Sequence, residues 1–160
     1  IPCLLFSGCS GKSSMTFSQF TETLFKNEVS SDALTLNYSI SRPDNFGITQ
    51  LPESLGTFPS DDNTKAMTGI ENMEKALASF SYHSLSLEEQ LTYDTIRETL
   101  SYQKSSMEYP LYQEFLSPTV GIQAQLPILL CEFNLYRRQD IDTYLKTVTT
   151  IKEYFDSLIT

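Results

Sequence analysis

Basic residues are scarce in this chain: 11 Lys and Arg stand against 20 Asp and Glu, leaving a formal net charge of −9 over 160 residues. Such a chain repels a phosphate backbone, so charge alone argues against a nucleic-acid partner. One His and three Cys cannot supply a zinc finger or a haem motif. No interior apolar run approaches the roughly 20 residues of a membrane-spanning helix. Internal repeats and low-complexity tracts are absent as well. What remains is a chain 40% apolar and 12% aromatic, enough to bury an ordinary core in one domain.

The chain opens Ile1-Pro2-Cys3-Leu4-Leu5-Phe6 without a Met, an apolar run that reads as the end of a signal peptide. Phe6-Ser7-Gly8-Cys9 resembles the bacterial lipobox, in which small residues admit the signal peptidase and the following Cys becomes the lipidated N-terminus. Phe6 stands where Leu is usual. Residues 1–9 are therefore expected to be a signal-peptide remnant and lipobox with Cys9 as the lipidation site, and residues 10–16 a short polar tether. The expected location is exported and lipid-anchored at the cell membrane, facing the extracellular or periplasmic side. Gly11-Lys12-Ser13 looks like the end of a phosphate-binding loop, but that pattern needs Gly where Phe6 stands. With Cys3 removed alongside the signal, Cys131 is the remaining thiol and an intramolecular disulfide is impossible. Leu129, Leu130 and Phe133 beside it predict a buried, inert sulfur.

From Phe17 the apolar spacing is mostly helical, and the expected class is all-α: helical hairpins with bundle-like packing over residues 17–160, a partial domain belonging to a larger helical protein. Thr16 is placed to cap a first helix carrying Phe17, Phe20 and Leu24 to about Val29. Residues 32–40 alternate as a strand would, yet lean to helix. Pro43-Asp44-Asn45-Phe46-Gly47 and the span from Pro52 to Pro59 carry turn chemistry, so residues 41–60 should be mainly loop, either functional or packed along a larger body. Ala66, Ile70, Met73, Leu77 and Phe80 form one helical stripe behind Asp61 or Asp62. Ser86-Leu87-Glu88-Glu89 is a capping box opening a partner helix with Leu91, Tyr93, Ile96, Leu100 and Met107. Residues 120–136 are so apolar that they should form the most buried element. Asp140 should cap a last stripe, Ile141 to Leu158, running uninterrupted to Thr160.

Chemistry-bearing groups are sparse. His83 has no second His or Cys at ligand spacing, and a metal site needs three or four convergent donors. Glu88-Glu89 and Asp61-Asp62 could pair for acid/base work, but adjacent helical residues point apart and acids in a first turn complement the helix dipole. Arg137-Arg138 can hold a carboxylate. Asn37-Tyr38-Ser39 matches a glycosylation acceptor. Gln123 and Gln125 are uncharged polar groups within an apolar passage; buried, they would have to serve a structural polar network or the peptide groups of a ligand in a cleft. No catalytic, cofactor-binding or metal-ligating residue is assigned.

Phe25-Lys26-Asn27-Glu28-Val29 through Asn37-Tyr38, Pro43-Asp44-Asn45-Phe46-Gly47-Ile48, Leu116-Ser117-Pro118-Thr119-Val120-Gly121-Ile122-Gln123-Ala124-Gln125-Leu126-Pro127 through Leu130, and Asp140-Ile141-Asp142-Thr143-Tyr144-Leu145 occur in this order. Together they resemble the N-terminal part of the bacterial domain-of-unknown-function 885 family, the Gln123 segment being the most specific piece. That family is longer, largely helical, often lipidated, and carries an HExxH motif of the zinc-peptidase type in its later part. The resemblance implies a non-catalytic scaffold or cleft wall of a zinc-dependent peptidase, whose partners are the membrane, the remainder of its own chain and a peptide substrate. It transfers no catalytic or zinc residue to any position here. The alternative is a self-contained helical lipoprotein domain that binds a peptide or protein.

Overall fold

Capping explains where the first helices begin. Thr16 Oγ1 accepts from Gln19 N (3.2 Å) while Gln19 Oε1 accepts from Thr16 N (3.0 Å), a reciprocal box that opens α1, Phe17–Val29. Asp32 Oδ1 accepts from Thr35 N at 2.8 Å and opens α2, Ala33–Ser39, which settles the strand-or-helix ambiguity: an N-cap carboxylate outweighs the alternating pattern. This computed structural model describes residues 15–58, 64–109 and 115–159. Further along the chain come α3 (Thr64–Ala78), α4 (Leu87–Ser106), α5 (Ile122–Cys131), α6 (Arg138–Thr149) and α7 (Ile151–Ile159). Among the described residues there is no strand, so the architecture is all-α. Cys9, most of the expected tether, and the Asp61 and Asp62 caps lie outside the described residues.

Two compact units divide the chain, and the division falls inside α1: residues up to Leu24 join Asp61–Pro110, and Phe25–Ser60 joins Leu111–Thr160. The first unit is the expected α-hairpin of α3 and α4 with the start of α1. Phe17, Phe20, Ile70, Met73, Leu77 and Leu100 form its core. Phe80 packs its ring 5.3 Å from both Phe17 and Phe20. The Ser86 capping box is present, with Glu89 N donating to Ser86 Oγ and Ser86 N to Glu89 Oε2. Lys104 Nζ reaches Glu74 across the hairpin at 2.9 Å, and this hydrogen bond raises the pKa of the ammonium. Leu91 departs from the expected stripe and faces solvent.

In the second unit, Val29, Leu36, Ile40 and Ile48 form a small core. The long loop proves to be a strap. After α2 comes a 3₁₀ turn, Pro43–Phe46, closed by Gly47 at φ 71°, where a side chain would be strained. Leu55 N then donates to Thr150 Oγ1 (3.1 Å), Phe58 N to Ser157 Oγ (3.0 Å), and Lys146 Nζ bonds Glu53 (2.7 Å), fastening residues 53–58 along α6 and α7. The body the loop packs along is its own unit.

Four expectations about the C-terminal half are corrected. The last stripe is two helices, because Thr147, Thr149 and Thr150 each turn a hydroxyl back onto a carbonyl of the preceding turn, and such bonds bend a helix. Asp140 sits at the third position of α6, accepting from Arg137 N at 2.7 Å, rather than at its cap. Residues 120–136 are not the most buried element: of α5 only Leu126 is buried, while Ile128 is 58% exposed. An all-round apolar composition does not say which sides a helix finds covered. Cys131, expected to be buried, is exposed for the same reason.

Candidate functional site

Two places in the second unit bring polar and apolar groups together. One is a cleft where α2, the loop after it and α6 meet. Leu36, Ile40, Pro43, Leu51 and Phe133 give it apolar walls, and Asn37, Arg137, Asp140 and Thr143 line it with polar atoms. Its inner volume is about 20 Å³. A water needs roughly 10–15 Å³, so the inner space of the cleft is that of about one water-sized group.

Arg137 dominates that cleft. Its Nη1 donates to Asp44 Oδ2 at 2.8 Å and its Nη2 to Asp140 Oδ1 at 3.1 Å, while its Nε is buried without an acceptor. The bond to Asp140 raises the pKa of the guanidinium, with desolvation opposing and Asp44 adding to the rise. The sequence marks Arg137 as able to hold a carboxylate; the carboxylates it holds are the chain's own. Asp44 lies 93 residues away and left no local signal of the pairing. Asn37 is engaged likewise: Nδ2 donates to Asn134 O (2.9 Å) and Oδ1 accepts from Asn134 N (2.8 Å). Its amide nitrogen, the atom a glycan would occupy, is a structural donor. Nearby, the Tyr38 hydroxyl donates to Glu132 at 3.2 Å, and its pKa is raised by desolvation first and by Glu132 second.

The second place is the turn leading into α5. Gly121 N donates to Ser117 O (3.1 Å), Ile122 N to Phe115 O (2.9 Å) and Val120 N to Ser117 Oγ (3.3 Å). Gln123 and Gln125 complete this turn. Gln123 Nε2 donates to Ser117 O at 2.6 Å and Gln125 Nε2 to Val120 O at 2.8 Å. Both side chains are exposed, so they brace a surface turn and line no buried cleft. The turn leaves no room at Gly121, where an added Cβ would lie 2.3 Å from Ser117 N and 2.6 Å from Ser117 O. Backbone cannot yield as a side-chain tip can. Gly121→Ala is therefore expected to destabilise by about 1–3 kcal/mol in urea unfolding. Gly69→Ala, on α3 with nothing within 4 Å, should stabilise by about 0.5–1 kcal/mol in the same assay.

His83 is exposed in the short 3₁₀ turn Tyr82–Ser84, its ring beside that of Tyr82, and belongs to the other unit. Glu89 serves the Ser86 capping box, as its first-turn position suggested. Arg138 is exposed at the start of α6. Among the described residues no three His, Cys, Asp or Glu side chains converge. The described residues also contain no helix long and apolar enough to cross a membrane. What they offer chemically is binding and bracing: an arginine clamp held by Asp44 and Asp140, a hydrogen-bonded turn, and an apolar helix with an open side. No family model, curated protein or solved structure matches this chain.

Proposed function

We propose that this chain is the N-terminal helical scaffold, or cleft wall, of a lipid-anchored and exported zinc-dependent peptidase, and is not catalytic by itself. The observation that carries the reading is the run Leu116–Pro127, which resembles the domain-of-unknown-function 885 family and folds as a tightly bonded turn around Gly121. An all-helical frame suits a scaffold role. On this reading the catalytic HExxH helix and its zinc belong to a later part of the polypeptide, and the peptide substrate meets residues contributed from there. Sequencing the coding region past Thr160 tests it directly: an HExxH helix within several hundred further codons is expected. A stop codon there would favour the self-contained partner-binding domain.

The membrane partner and location rest on Cys9. Two or three acyl chains hold a protein firmly, because each buried CH₂ contributes about 0.8 kcal/mol. Expressed with its complete native signal, the protein is expected to enter the detergent phase and the Cys9→Ala protein to remain in the aqueous phase. Equal partitioning of the two would remove the lipid anchor from the proposal.

A further inference from the structure

The three most exposed large apolar side chains among the described residues all belong to α4: Leu87 (84%), Tyr102 (79%) and Leu91 (70%). At about 100° per residue they fall within about 60° of one another around the helix, with Glu98 among them. Their side is opposite that of Leu100, which the hairpin core covers. An exposed leucine alone needs no explanation, whereas large apolar groups gathered on one face of one helix mark a contact surface. The stripe runs about 22 Å along α4. Asp94, Thr95, Glu98, Thr99 and Tyr102 line one shallow, open depression on it.

The charge around this stripe has one sign. The cations of α4 are Arg97 and Lys104; Lys104 turns inward to Glu74, and Arg97 is engaged by Asp94 (3.2 Å) and Glu98 (3.5 Å). Glu89 is taken by the capping box, which leaves Glu88 on the flank and Glu98, 68% exposed and loosely held, facing solvent. An anionic bilayer or a nucleic acid is repelled by such a face, and so is a second copy of a chain carrying −9. A partner that matches it is both apolar and cationic. The spacing 87, 91, 98, 102 is that of a ridge along a helix, which another helix laid beside it can read along its length. The open ring of Tyr102 beside Glu98 gives a Lys or Arg head a π face as well as a carboxylate. We infer that the outer face of α4 docks a basic amphipathic helix of another polypeptide, its apolar side on Leu87, Leu91 and Tyr102 and its cations on Glu88 and Glu98.

The test is titration calorimetry of the 160-residue chain with a synthetic peptide of Leu and Lys, about 18 residues long and with its leucines on one helical face, so that as a helix it covers the stripe. A second peptide of the same composition with the leucines scattered separates docking from bulk charge attraction. One-to-one binding of the first peptide is expected, with the second at least about tenfold weaker. Leu91→Gln and Glu98→Lys should each weaken the complex at least about tenfold. Ile128→Gln on α5 and Asp142→Lys on α6 make the same two kinds of change at exposed positions elsewhere and should leave affinity within about twofold. Helical circular dichroism controls for folding, which these exposed side chains do not support. Four results would each overturn the inference: absence of binding, equal binding of the two peptides, losses at residues 91 and 98 no larger than at 128 and 142, or capture of the chain by anionic vesicles through Leu91.

Discussion

Phe20→Ala is expected to lower the stability of the chain by about 3–5 kcal/mol, read as a fall in the urea midpoint followed by far-ultraviolet circular dichroism. Phe20 is 2% exposed in the core of α1, α3 and α4, with its ring against Phe17 and Phe80. Truncation removes most of an aromatic side chain from an environment that cannot refill the space. The transfer term and the cavity term therefore act together. Phe17, whose ring lies 6.2 Å from that of Phe20, is held at the start of α1 by the Thr16–Gln19 box and cannot slide inward without breaking that cap. Phe25→Ala, on the same helix but 42% exposed, should cost far less, since a half-wet ring has less transfer energy to lose. Similar losses at both positions would mean that the packing around Phe20 is not as tight as its burial indicates.

Removing the Arg137 fork should have the next largest effect. Arg137→Met keeps the stem's volume but leaves the Asp140 carboxylate, whose side chain is 8% exposed, without its cation. A buried charge stripped of its partner costs about 3–5 kcal/mol, and the remaining Arg137 N–H bond to Asp140 moderates this to about 2–4 kcal/mol. Asp44, 65% exposed, is rehydrated instead, so Asp44→Asn should change stability by less than about 1 kcal/mol. The double variant Arg137→Met/Asp140→Asn should recover part of the loss, because the uncompensated charge is then gone. Additive losses in that cycle would show that the pair is not coupled. Arg137→Lys should restore only one of the two bonds, as an ammonium cannot reproduce the planar fork that spans Asp44 and Asp140.

Residue order by itself determines the local features of this fold. Ser86 and Glu89 declare the start of α4, the stripe Ile70, Met73 and Leu77 declares its packing face on α3, and Pro43 with Gly47 declares a turn. Each depends on residues within one or two turns of each other, where backbone geometry and side-chain chemistry act without help from distant parts of the chain. The all-α class follows from such signals summed along the sequence.

Tertiary structure decided what those signals could not. Which apolar helix is covered depends on what surrounds it, so α5, with the most apolar sequence of the helices, proved to be open along Ile128 and Cys131. Arg137 looked like a free carboxylate holder because its partner Asp44 is distant in sequence, and only the folded loop brings them to 2.8 Å. Gln123 and Gln125 invited a buried reading from their apolar neighbours, but the turn at Gly121 folds back and takes both amides for its own carbonyls. The final helix broke at Thr150, whose hydroxyl bonds Thr147 O and accepts from Leu55 N of the strap. The physical division is between interactions that close within a turn of chain, which residue order specifies, and those that depend on which distant surfaces meet, which residue order alone leaves open.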